Sequence, residues 1–164
     1  MAYHALNSDE TADLSEAQVN DLDGRISVIM PVYNGADFIP LSLPPLIDMM
    51  HRGEILEVIV VDDGSTDGSK QMAETIGAKV LSSGGRLGPG GARNQAANTA
   101  LGDILWFVDA DVVVHSDAAR CLGIGFDVDQ VVAVFGSYDS KPPARNFFSQ
   151  YKNLVHHYYH NRAK

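Results

Sequence analysis

From Arg25 onward, apolar residues fall in short unbroken runs separated by polar turns. Ile26-Ser27-Val28-Ile29-Met30 is a β-rich run closed by Pro31, with Asn34-Gly35 marking a turn. Ile55 to Val61 is apolar at nearly every position, as a strand buried on both faces requires. Ala78–Leu81 predicts a third, short strand, Ile104–Val108 a fourth and Val131–Phe135 a fifth. Between the first two runs, Ile39, Leu43, Leu46, Ile47 and Met50 recur at helical spacing over residues 36–52. Pro40, Pro44 and Pro45 are expected to confine the regular helix to the later part. Further helices are expected up to Ile76, over Ala92–Ala100 and around Asp117–Gly123.

Strands that alternate with helices and lack polar alternation predict a mostly parallel sheet covered on both sides. The expected fold is an open, doubly wound α/β sheet, in which ligands sit outside the carboxyl ends of the strands. Three polar loops fall at those ends: Val32–Asp37, Asp62–Gly68 and Asp109–Asp111. The reading divides the chain into an acidic arm over 1–24, an α/β domain over 25–140 and a basic, aromatic helix over 141–164.

Composition narrows the function classes. At 164 residues with 45% apolar and 20% charged positions, the chain is ordinary folded material for one domain. No apolar run approaches the roughly 20 residues of a spanning helix, and the arm lacks the basic and apolar regions of a signal peptide. The single cysteine, Cys121, fits a reducing, cytoplasmic setting and is read as a buried helix residue. Charge is uneven. With six acids in the arm and five bases in the tail, the total of −9 leaves −8 on residues 25–140. So acidic a middle repels a polynucleotide backbone, which argues against nucleic acid as a partner. A small anion remains possible, because a divalent metal inverts the local sign.

Three motifs could carry chemistry. Asp109-Ala110-Asp111 follows an apolar strand, and two carboxylates bracketing a small residue can offer hard oxygen ligands to Mg²⁺ or Mn²⁺. The plainer reading is a polar strand end with Asp capping the next turn. In Val60-Val61-Asp62-Asp63-Gly64-Ser65-Thr66-Asp67, an Asp at the strand terminus can accept from a base edge or ribose hydroxyl. Gly64 suits a tight turn, and Ser65 or Asp67 can cap the next helix. The loop from Gly84 to Asn94 sets Arg86, Arg93 and several glycines at a helix start, a composition suited to phosphate. It matches neither the Walker loop nor the dinucleotide fingerprint.

Taken together, Ile29-Met30-Pro31-Val32-Tyr33-Asn34, the Val60–Asp67 segment, Gly91-Ala92-Arg93-Asn94 and Phe107-Val108-Asp109-Ala110-Asp111 resemble family 2 glycosyltransferases in order and spacing, over roughly residues 25–137. The resemblance implies a GT-A fold, a nucleotide-diphosphosugar donor, a UDP-sugar by preference, and a divalent metal. It implies that Pro31, Val32, Tyr33 and Asn34 line the nucleotide pocket and that Asp63 meets the base with Asp62 beside it. Arg93 would help hold the donor, Asp109 would face the ribose or sugar, and Asp111, with Asp109, would take the metal.

Departures from the pattern carry expectations of their own. The family places a catalytic carboxylate in a later Glu-Asp motif, yet this chain has no Glu-Asp pair and no Glu after Glu74. Processive members carry a later Trp motif, whereas Trp106, the single tryptophan, lies in the fourth strand. The catalytic base is therefore unknown, and the chain reads as a donor-binding portion, inactive alone, with an unidentified acceptor. Residues 146–160 carry an aromatic stripe and bases that suit self-association or contact with the inner face of a membrane. His156 and His160 stand four apart but lack a third zinc ligand, so solvated histidines are favoured. Two other classes remain: a dehalogenase-like phosphatase, which needs Asp-x-Asp-Gly-Thr early in the chain, and a non-catalytic nucleotide-binding or assembly module.

Overall fold

A computed structural model describes residues 24–126 and 130–136 together with Tyr151, Val155 and Tyr158. In chain order its elements are β1 (Ile26–Val32), α1 (Ile39–His51), β2 (Glu57–Asp62), α2 (Ser69–Ile76), β3 (Lys79–Ser82), α3 (Gly88–Ala97), β4 (Ile104–Phe107) and α4 (Ala118–Phe126). The sheet lies within one compact unit, Val19–Cys121; the described residues beyond it belong to a second.

The runs of β1 and β2 are buried almost throughout because both sides of the sheet are covered there, whereas β4, at the sheet edge, leaves Leu105 and Phe107 exposed on one face, against the expected two-sided cover. All three ladders are parallel, in the order β3-β2-β1-β4. Val28, Met30, Val58, Val60 and the α1 residues Leu43, Leu46 and Met49 fill one core, with α2 adding Ala73. Ile29, Ile59 and Val61 point the other way, onto Ala92 and Ala96 of α3. Side chains on a strand alternate between faces, so a continuous apolar run feeds two cores at once.

Four expectations are corrected. First, β1 continues through Pro31 to Val32. Its ladder with β4 ends at Ile29 opposite Phe107, so the N–H that Pro31 lacks removes no sheet bond. Second, α1 runs from Ile39 through Pro44 and Pro45 instead of starting after them. Those prolines strip donors from the carbonyls of Pro40 and Leu41, both exposed residues, so water can take their place. Burial of Ile39, Leu43, Leu46, Ile47 and Met49, roughly 1.5–3 kcal/mol each, outweighs the proline penalty of about 3 kcal/mol apiece. Third, residues 131–136 form no strand. They have no ladder partner among the described residues, and Val132 and Phe135 are exposed; an apolar run becomes a strand only beside another strand. Cys121 is exposed as well, because the inward face of α4 is set by Ala119.

At the amino ends of the strands a polar network ties the sheet together. Buried Glu57 accepts from the Ser27 hydroxyl at 2.9 Å, the Leu101 N–H at 2.7 Å and the Lys79 ammonium at 3.1 Å. The Ser27 hydroxyl oxygen in turn accepts from the Gly102 N–H at 2.9 Å. Among the described residues no helix is long and apolar enough to cross a membrane. The acidic arm, and most of the 146–160 stretch with His156 and His160, lie outside the described residues.

Candidate functional site

The connections out of β1 lead to β2 on one side, whereas β4 joins β1 from the other. That reversal opens a crevice at the carboxyl ends of β1 and β4, the place where open α/β sheets bind ligands. A cleft of about 340 Å³ sits there, lined by Pro31–Gly35 and Phe38 after β1, by Asp109, Ala110 and Asp111 after β4, and by Pro89 and Arg93 of α3.

The β1 side of the cleft is held by the loop after β2. Asn34 sits at φ 51°. Its side-chain oxygen accepts from the Thr66 N–H at 2.9 Å, and its own N–H donates to the Ser65 hydroxyl at 3.0 Å. The Gly35 N–H donates to the Ser69 hydroxyl at 2.9 Å and the Ala36 N–H to Asp67 at 2.9 Å. A Cβ on Gly35 would meet Val32 at 2.7 Å, so a side chain there would push the cleft wall aside. Asp67 also accepts from the Ser69 N–H at 3.0 Å and from its hydroxyl. The Ser69 hydroxyl, then the Ala36 N–H, hold the Asp67 carboxyl below its ordinary range against the opposing effect of burial.

Asp62 and Asp63 do not line the cleft. Buried Asp62 accepts from the Ser65 N–H at 3.2 Å and shapes the turn. Asp63, equally buried, faces the glycine-rich loop, where its two oxygens accept from the N–H groups of Leu87 and Gly88, each at 2.8 Å. The Ser83 hydroxyl, then those N–H groups and the Arg86 charge, hold its carboxyl below the ordinary range although burial pulls the other way. Arg86, carried by the same loop, stacks its guanidinium over the Tyr33 ring, 4.0 Å from the centroid, a cation–π contact at the edge of the cleft. Neither the Asp63 clamp nor the Arg86–Tyr33 contact leaves a signal in the chain, since the partners stand 24 to 53 positions apart.

On the β4 side, Asp109 forms an ion pair with Arg93. The Arg93 Nε is buried and has no hydrogen-bond partner among the described residues. Asp111 is exposed and has no partner among the described residues. No cluster of three or more His, Cys, Asp or Glu capable of holding a metal occurs among the described residues. The donor set nevertheless fits Mg²⁺ or Mn²⁺, ions that take one or two carboxylates and complete their shell with water and phosphate oxygens.

Of the residues singled out in the sequence, the structure brings Pro31, Val32, Tyr33, Asn34, Arg93, Asp109 and Asp111 together in the cleft. Asp62, Asp63 and Arg86 stand behind or beside it. Gly35, Phe38, Pro89 and Ala110 also line it and were not anticipated. Phe38, 49% exposed just before α1, is an apolar residue whose exposure only the fold reveals.

Residues 27–164 match the model of glycosyl transferase family 2. Over 103 residues the chain is 37% identical to the poly(ribitol-phosphate) beta-glucosyltransferase of Bacillus spizizenii, covering 57% of this chain and 16% of that enzyme. The crystal structure of S. aureus TarS 1-349 in complex with UDP-GlcNAc superposes with a TM-score of 0.57 at 33% identity, over 63% of this chain and 31% of that one. The mannosyltransferase PcManGT from Pyrobaculum calidifontis, in complex with GDP-Man and Mn²⁺, gives 0.52 at 32% identity, over 60% and 31% respectively. Across the first curated relatives the chain spans 15% to 40% of their length. The parallel α/β sheet is that of the GT-A nucleotide-sugar transferases, and the chain belongs to glycosyl transferase family 2.

Proposed function

We propose that this chain supplies the donor site of a metal-dependent glycosyltransferase that moves a sugar from a nucleotide-diphosphate donor, a UDP-sugar, to an acceptor hydroxyl. The observation that carries the proposal is the cleft at the β1/β4 reversal, where one guanidinium and two carboxylates converge beside the exposed Tyr33 ring. The UDP and UDP-GlcNAc complexes of TarS and the GDP-Man and Mn²⁺ complex of PcManGT support a nucleotide-sugar ligand.

In this reading Tyr33 offers a face for the base to stack on, and Pro31, Val32 and Asn34 form the wall around the nucleoside. Asp62 and Asp63 act from behind, Asp63 by holding the Leu87–Gly88 turn and with it Arg86. Arg93 balances the diphosphate, and Asp111 with Asp109 would hold Mg²⁺ or Mn²⁺. A bound divalent ion would neutralise charge on the departing diphosphate. Transfer also needs a base within hydrogen-bond reach of the acceptor hydroxyl. Both carboxylates that line the cleft already have tasks, Asp109 with Arg93 and Asp111 as the metal ligand. The 164-residue chain is therefore expected to bind donor without transferring sugar.

Calorimetric titration of UDP with Mn²⁺ and with EDTA tests the reading, beside an acceptor assay with a panel of UDP-sugars. Metal-dependent UDP binding is expected. Equal affinity in both buffers would instead favour a nucleotide-binding module without transferase chemistry. Efficient multi-turnover transfer by this chain would refute the assignment of donor binding alone.

A further inference from the structure

The charged lining of the cleft consists of Arg93, Asp109 and Asp111, two carboxylates against one guanidinium. Without a metal that lining carries a net negative charge and repels a diphosphate. The only cation in it among the described residues is already engaged, because an Nη of Arg93 is paired with Asp109. The pairing is incomplete, however. The Arg93 Nε is buried with no hydrogen-bond partner among the described residues, an arrangement that leaves a strong donor unused. Asp109 is the more accessible partner, with its side chain 55% exposed against 31% for Arg93. The carboxylate can therefore turn toward a second cation more readily than the arginine can leave the cleft wall.

We propose that Asp109 is a switch residue: it sequesters Arg93 until a divalent cation takes up the carboxylate, and Arg93 is then released to the donor diphosphate. The inference rests on the reading of the cleft as a donor site, and it adds a coupling through protein to the direct contact between metal and phosphate. Metal binding changes the sign of the lining and frees its arginine in one event. The coupling is reciprocal, so nucleotide that captures Arg93 leaves Asp109 free for the metal. Asp109 thus costs the cleft affinity for nucleotide in the absence of metal, which a simple ligand-contact role would not predict.

The test measures UDP binding to the 164-residue chain by calorimetry in EDTA and in Mn²⁺, and Mn²⁺ binding without nucleotide by electron paramagnetic resonance. Asp109→Asn is expected to raise UDP affinity in EDTA by about two- to fivefold, the scale of a half-exposed ion pair, while lowering it in Mn²⁺. Arg93→Gln is expected to tighten Mn²⁺ binding in the absence of nucleotide by a similar factor, because Asp109 is no longer shared. In the Arg93→Gln background, Asp109→Asn should give a clearly smaller gain in EDTA, the part due to removal of a negative charge alone, which separates that charge effect from release of the guanidinium. A gain of equal size in both backgrounds overturns the switch, as does an Asp109→Asn chain with unchanged or weaker UDP binding in EDTA. Unaltered Mn²⁺ affinity in Arg93→Gln overturns it too. If the unsubstituted chain binds UDP equally with and without metal, the metal-dependent reading itself fails and the switch fails with it.

Discussion

Replacing Glu57 by Gln probes whether the polar network beneath the sheet stabilises the fold. Glu57 is 9% exposed, and its oxygens take three donors. The amide oxygen of Gln can keep Leu101 and Ser27, but its nitrogen then faces the Lys79 ammonium, donor against donor. A bond to a charged acceptor contributes roughly 1.5–3 kcal/mol and one to a neutral acceptor roughly 0.5–1.5, so the Leu101 and Ser27 contacts each lose about 1 kcal/mol or slightly more. The Lys79 side chain is 45% exposed, which limits its ion pair to about 0.2–1 kcal/mol. The expected loss is about 2–3 kcal/mol at pH 7, or about 4–12 °C in Tm for a chain of this size. Burial alone would raise the Glu57 pKa, but the Leu101 N–H, the Ser27 hydroxyl and Lys79 outweigh it and hold the folded value below the ordinary one. A lowered folded pKa means that the contribution is complete above the unfolded value, near 4.3, and fades as pH falls through the folded value. Urea titrations of both chains from pH 8 to pH 3 should therefore show a constant gap down to about pH 5 that narrows below about 4.3. A gap under about 0.5 kcal/mol at pH 7, or one that widens on acidification, would refute the reasoning. UDP affinity, read at the opposite end of the strands, should not change.

Other substitutions separate the parts of the site. Asp111→Asn should weaken UDP binding in Mn²⁺ by roughly tenfold or more, through loss of one carboxylate from the ion, and calorimetry in both buffers measures it. Asp63→Ala should free the Leu87 and Gly88 amides, seen as faster hydrogen exchange at those two positions, and should weaken uridine binding without metal; unchanged exchange would show that the clamp is not holding the loop. Gly102→Ala would bring a Cβ within 2.3 Å of the Arg25 carbonyl oxygen and 2.8 Å of the Ser27 nitrogen, backbone atoms that cannot swing away. Its thermal unfolding should reveal a destabilisation of about 1–3 kcal/mol, and a native-like Tm would contradict the packing described for that turn.

Two consequences follow from the position of the cleft. Its β1-side wall is fastened to the β2–α2 loop and to the first residue of α2, since Asn34, Gly35 and Ala36 are bonded to Ser65, Thr66, Asp67 and Ser69. A change in the β2–α2 loop should thus reach the nucleotide wall without touching it. The glycine-rich loop, by contrast, is anchored chiefly through Asp63 and the Arg86–Tyr33 contact, so it is the more readily displaced of the two.

The chain by itself determined the layered architecture. The runs at 26–30 and 55–61 are apolar at nearly every position, which suits a parallel sheet with two covered faces, and both are buried in that way. Turn residues at the strand ends marked the loops that build the cleft, because Gly, Asn and Asp report local backbone geometry wherever they stand. Other features depended on contacts between distant segments. The passage of α1 through Pro44 and Pro45 rests on five apolar side chains finding a core, a gain that helix propensity does not contain. The Val131–Phe135 run had strand composition yet has no partner strand among the described residues, and composition alone does not supply one. Asp63 facing a loop 24 positions away and Arg93 holding Asp109 across 16 positions are likewise outcomes of strand order. Periodicity and turn chemistry are set by neighbours along the chain, and so they can be read from it. Which carboxylate meets which donor is set by the β3-β2-β1-β4 arrangement, which brings together segments that share no local signal.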